Sequence, residues 1–111
     1  MYGQWKIVEL EYEKKDLFDN LYYEYFWFKE ENVIKLPKFT DQMGKLPLKG
    51  FWKINKSNDS LSINSSDSIF TGDYSIKFAM DEEGAVYAQL VSNKSFIILK
   101  KMDFFKYMPK L

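Results

Sequence analysis

Apolar and polar side chains alternate along most of this chain with a period of two, the spacing of β-strands rather than of helices. In Trp5-Lys6-Ile7-Val8-Glu9-Leu10-Glu11-Tyr12, Val8, Leu10 and Tyr12 share one face, and Glu9 and Glu11 share the other. Trp5 and Ile7 fall in the opposite phase, so burying them as well requires a bulge near Ile7-Val8. Residues 13 to 20 read as a loop or one helical turn. Leu21 to Phe28 is a strand-forming aromatic run with apolar side chains in both phases, which predicts cover on both faces. Glu30-Glu31-Asn32 supplies a turn. Val33 to Phe39 returns, and Pro37 confines that strand to an edge or a bulge. Residues 40 to 47 read as a loop. Strands follow at Gly50 to Ile54, Leu61 to Asn64, Tyr74 to Phe78, Ala85 to Val91 and Phe96 to Lys100, with Tyr74, Ile76 and Phe78 facing inward. The breaks between them are a turn at Ser57 to Ser60, a mobile polar loop at Ser65 to Asp73, a hairpin at Asp81 to Gly84 and a tight turn at Asn93-Lys94.

About eight short strands with regular turn signals predict an all-β fold, an up-and-down antiparallel β-barrel or sandwich. Residues 1–101 are expected to form the barrel, and residues 102–111 a C-terminal extension whose aromatics cover an open end of the core with lysine stems reaching outward, or else lie on a membrane surface. Residues 1–31 carry eight carboxylates and four lysines, a net of −4, while residues 94–111 carry five lysines and one aspartate, a net of +4. The first and last strands of such a barrel pair. Glu9 and Glu11 are therefore expected opposite Lys100 or its neighbours, in pairs contributing about 0.2–1 kcal/mol each that favour one register.

Composition narrows the chemistry. The 111 residues suffice for one domain whose core needs neither metal nor disulfide. There is no His, Cys or Arg, and sixteen lysines balance sixteen Asp and Glu. A His-centred triad, a Cys nucleophile, a thiol redox pair and a Cys/His zinc site are excluded, as is guanidinium recognition of phosphate. The paired carboxylates Glu30-Glu31 and Asp81-Glu82-Glu83 sit at turn tips, where they stay solvated. Nine serines and sixteen lysines make a Ser–Lys pair a matter of chance. Asp67 and Asp73 lack a calcium-loop signature. The expectation is a non-enzyme with no catalytic residue, metal or cofactor. The zero net charge argues against nucleic acid as a partner, and Tyr22 to Phe28, an aromatic platform in principle, contains Glu24 and lacks a cationic groove. No segment resembles a signal peptide or is long enough to span a bilayer. As written, the sequence reads as cytoplasmic; a trimmed periplasmic or secreted protein reads the same way.

Gly3-Gln4-Trp5-Lys6-Ile7 and Gly50-Phe51-Trp52-Lys53-Ile54 both fit G-x-W-K-I. A glycine two residues before a tryptophan leaves room for the indole to fold across the strand start and plug a barrel end, with one N–H that needs a partner. Gly3-x-Trp5 opening the first strand resembles the opening motif of lipocalin-like domains. The second Gly50-x-Trp52, with Leu61-Ser62-Ile63 after it, Phe26-Trp27-Phe28 and Val33-Ile34 before it and Phe96 to Lys100 closing, is similar to small bacterial lipocalin-like domains of the calycin type. The resemblance covers most of residues 3 to 101. It implies a meander barrel, often with an apolar cavity, and names no ligand.

Two functional classes follow. A carrier or sensor would hold a small apolar ligand in the lumen, lined by Tyr12, Phe26, Phe28, Trp52, Tyr74, Phe78 and Leu90 together with Val8, Leu10, Ile54, Ile76 and Val86. The same side chains are large enough to fill an eight-stranded barrel by themselves. A protein-interaction module, of inhibitor or immunity type or a homodimer, would instead use Tyr23, Tyr25 and Trp27, which lie in the opposite phase to Phe26 and Phe28.

Overall fold

The computed structural model describes residues 1–42, 44 and 49–102. Eight strands close into an antiparallel up-and-down barrel, as the turn spacing predicts. They are β1 (Gly3–Tyr12), β2 (Tyr25–Phe28), β3 (Val33–Lys35), β4 (Lys49–Ile54), β5 (Ser60–Ser65), β6 (Gly72–Met80), β7 (Val86–Val91) and β8 (Ser95–Lys101). Each pairs with the next in chain order, and β8 returns to β1. Closure satisfies the backbone groups that an open sheet would leave at its edges. The C-terminal extension lies outside the described residues beyond Met102.

The bulge in β1 falls where the phase change demands it. Ile7 pairs with Leu99 and Glu9 with Ile98, leaving Val8 as the extra residue. This one insertion lets Trp5, Ile7 and Leu10 all reach the core although they do not share a period-two phase. It also changes what faces the first-strand carboxylates. Glu9 stands opposite Ile98 and Glu11 opposite Phe96, while Lys100 pairs with Lys6. The expected carboxylate–lysine pairing across the closing seam is therefore absent from that ladder. Backbone hydrogen bonds and the buried Ile7, Leu10, Ile97 and Leu99 hold the seam instead. Lys6 finds its partner elsewhere, in Glu24 at 3.2 Å.

Leu21 to Phe28 does not run as one strand. It breaks at Glu24: Leu21–Tyr23 pairs with Lys38–Phe39 in a separate two-stranded sheet, and only Tyr25–Phe28 joins the barrel. The return strand breaks correspondingly at Leu36-Pro37, where proline cannot donate to a ladder. Residues 13 to 20 form a short bridge at Lys15–Asp16 and a 3₁₀ turn at Phe18–Asn20.

The two tryptophans do close one end of the barrel. The Trp5 indole donates to the Met1 carbonyl at 2.9 Å, and the Trp52 indole to the Lys29 carbonyl at 3.0 Å. Tyr2 meets Trp52 edge-on at 5.2 Å. Gly50 is required for a different reason from the one its spacing suggests. A Cβ there would lie 2.5 Å from the Asn64 carbonyl oxygen and 2.7 Å from the Ser65 Cβ, so the glycine admits strand β5 rather than the indole. Gly3 has a φ of +103°, a conformation side chains resist.

The other end is stoppered by the segment expected to be a mobile loop. Phe70 is wholly buried, meeting Phe26 edge-on at 5.1 Å and stacking on Phe39 at 5.6 Å. The loop around it is held by its own polar groups. The Asp67 carboxylate accepts from the Ile69 N–H at 2.8 Å, the Asp67 carbonyl accepts from the Thr71 N–H, and the Tyr74 hydroxyl donates to the Phe70 carbonyl at 2.7 Å.

Candidate functional site

The structure separates the predicted lumen residues into three groups. Phe26, Phe28, Trp52, Tyr74 and Leu90 face inward and are buried. Phe28 stacks on Phe26 at 5.8 Å and meets Trp52 edge-on at 5.4 Å, so rings touch in series across the interior. Tyr12 is half-buried at the stoppered rim. Phe78, expected inward, is 44% exposed. It keeps the phase of Tyr74 and Ile76 and pairs with Ala88 on β7, but the β5 ladder ends at Ser60 opposite Ser75, so no strand residue flanks Phe78 on that side, and its ring lies 6.1 Å from that of Trp5.

A void holding even one water would leave accessible surface on its walls; Phe26, Ile34, Leu61, Phe70, Leu90 and Leu99 have none, so no such void touches these six side chains. Among the described residues, clefts at the rims and outer surface include the following. One of about 580 Å³ runs between the start of β6 and the β7–β8 turn, bordered by Tyr12, Thr71, Asp73, Asn93 and Lys94. One of about 650 Å³ lies across the stoppering loop, bordered by Asn20, Phe39, Gln42 and Ile69. A third, of about 220 Å³, sits by the β1 bulge. None is lined by Phe26, Phe28, Trp52, Tyr74 or Leu90.

Tyr74 is a buried titratable group of this interior. Burial lifts its hydroxyl well above the ordinary value of 10.0, and the Asp67 carboxylate adds to that, while a hydrogen bond with Ser95 opposes it. It stays protonated and serves as a donor. The turn-tip carboxylates are exposed as expected, and the Asp81 side chain accepts from the Glu83 and Ala85 N–H groups at 2.9 Å, a turn-forming role. Among the described residues no three carboxylates converge as a metal site requires, and no helix is long and apolar enough to cross a membrane.

The outer face of β2 is different in kind. Trp27 points outward and is 37% exposed. Tyr23 and Tyr25 are half-buried, with rings 5.5 Å apart, and burial, helped by neighbouring Tyr25, raises the Tyr23 hydroxyl above its ordinary range. Lysines lie over these rings: Lys29 Nζ is 4.2 Å from the Trp27 centroid, and Lys35 Nζ is 5.3 Å from that of Tyr23. The reading by phase missed one member. Phe51 on β4 is 63% exposed and lies across from Val33, two strands from Trp27. Its signal was present in Phe51-Trp52: with Trp52 inward, Phe51 has to face out.

No family model, curated protein or solved structure matches the chain. The geometry of interior and outer face is therefore what bears on function.

Proposed function

We propose that this protein is a non-enzymatic protein-interaction module that docks its partner on the outer face of β2 to β4, with Trp27, Phe51, Tyr23 and Tyr25 as contacts. The observation that carries the reading is a pairing of opposites. Core side chains such as Phe26, Phe70 and Leu90 leave no accessible surface for a ligand to touch, while Trp27 and Phe51 stand exposed outside. Phe51 leaves most of its ring in solvent and Trp27 more than a third, and exposed aromatic residues are the usual anchors of binding faces. The closed meander course supports a place among calycin-type, lipocalin-like barrels as far as architecture goes. Packing weighs against the apolar cargo that this resemblance implies.

The test compares wild-type and Trp27→Ser chains, immobilised side by side and exposed to an extract of the source cells. A protein retained by the wild type is then purified and titrated against both. The expected result is an affinity lowered about thirtyfold or more in Trp27→Ser, with a cooperative melt showing that the variant is still folded. A partner whose affinity ignores the substitution overturns the reading.

A further inference from the structure

The face around Trp27 and Phe51 carries a charge pattern of one sign. Trp27 has Gln4 and Lys35 directly across the ladder, Tyr25 and Lys29 two residues away along its own chain, and Lys6 and Val33 on the diagonals. Phe51 has Val33 and Asn64 across, Lys49 and Lys53 on its own strand, and Lys35 on a diagonal. Every charged residue in these strand positions is a lysine, in a chain with as many carboxylates as lysines. The nearest acids border this face: the ladder that sets Val33 opposite Phe51 runs on through the Trp52 N–H to Asn32 carbonyl bond at 2.8 Å, which brings Glu31 level with Lys53. Glu24 is engaged by Lys6 at 3.2 Å, and Glu30 and Glu31 sit on the exposed turn after Lys29.

We propose that this face takes an acidic protein segment, whose apolar side chains lie on Trp27, Val33 and Phe51 and whose carboxylates meet Lys29, Lys35, Lys49 and Lys53. The proposal rests on the docking reading above and adds the chemistry of the partner. Charge complementarity selects the occupant. A second copy meeting this face through the same face would set lysine against lysine. Single-stranded nucleic acid wants an unbroken cationic track beside its stacking rings, and Glu24, Glu30 and Glu31 interrupt one here.

Fluorescein-labelled peptides in which Leu alternates with Glu, with Gln or with Lys, and a labelled oligothymidylate, are titrated by anisotropy against wild type, Trp27→Ser and the double variant Lys35→Glu/Lys53→Glu. Thermal melts confirm that all three are folded. The Glu–Leu peptide is expected to bind at least about tenfold more tightly than the Gln–Leu peptide, to weaken with added salt, and to be lost from both variants. Equal binding of the Glu–Leu and Gln–Leu peptides, both lost with Trp27→Ser, overturns the acidic partner and leaves the docking face standing. Glu–Leu binding that survives Trp27→Ser overturns both. Tighter binding of oligothymidylate than of the Glu–Leu peptide, a dimer that dissolves in Trp27→Ser, or no peptide binding at all overturns the proposal.

Discussion

Replacing Phe70 by alanine tests whether a side chain from a polar loop does the work of the core. The ring has no accessible surface and packs against Phe26 at 5.1 Å and Phe39 at 5.6 Å. Truncating a phenylalanine so placed costs about 3–5 kcal/mol, through lost transfer energy and the cavity left behind. Unfolding entropy of about 2.1 cal/mol/K per residue converts 1 kcal/mol into about 4 °C for a chain of 111 residues. The melting midpoint of Phe70→Ala is therefore expected about 13–20 °C below wild type by calorimetry. The hydrogen bonds made by Asp67 and by the Tyr74 hydroxyl use main-chain partners in the loop, so they survive and should keep it in place. The vacated space is apolar, so benzene should raise the variant's midpoint and leave wild type unchanged. Phe70→Leu retains much of the volume and should lose much less. A fall of under about 4 °C for Phe70→Ala, or equal benzene stabilisation of both proteins, would refute the stopper.

Two other substitutions probe the same packing. Gly50→Ala drives a Cβ against the Asn64 carbonyl and Ser65, and should cost about 1–3 kcal/mol by chemical denaturation, with Ile54→Val as a mild control; a neutral result would mean that β4 and β5 separate freely. Tyr74 links stability to alkaline pH. Its folded hydroxyl ionises above the unfolded value of 10.0, so the unfolded chain releases a proton that the folded chain keeps. That contribution is fully present below pH 10.0 and declines above it, by up to about 1.4 kcal/mol per pH unit, so Tyr74→Phe should flatten the loss of stability from about pH 10 upward. Equal slopes for the two proteins would show that the hydroxyl is not held back.

Much of the barrel was legible because it depends on local alternation. Leu61 and Ile63, or Ile97 and Leu99, announce an inward face within a single strand, and the phase change between Ile7 and Leu10 announces a bulge. What was not legible depends on residues distant in sequence. The expected pairing of Glu9 and Glu11 with Lys100 assumed a register, and the Val8 bulge and the stagger of the closing seam set another. The break at Glu24 was hidden because aromatic residues on both sides of it suit a strand equally well. Phe70 sits in a polar segment with no periodicity, and its burial depends on Phe26 and Phe39, far away in sequence. Phase also gave Phe78 the correct face but not its depth, since its exposure depends on β5 stopping at Ser60, opposite Ser75, while β6 runs on with β7 alone. For the candidate site, phase was enough to turn Trp27 outward, whereas the join with Phe51 needed the β3 register with both neighbouring strands.

As proposed, the barrel is filled by its own side chains and acts through its outside. A titration of the wild-type protein with a fluorescent fatty acid at about micromolar concentration tests this most directly. The account predicts no saturable binding. Stoichiometric binding that unlabelled fatty acid displaces, and that Trp27→Ser leaves unchanged, would contradict it.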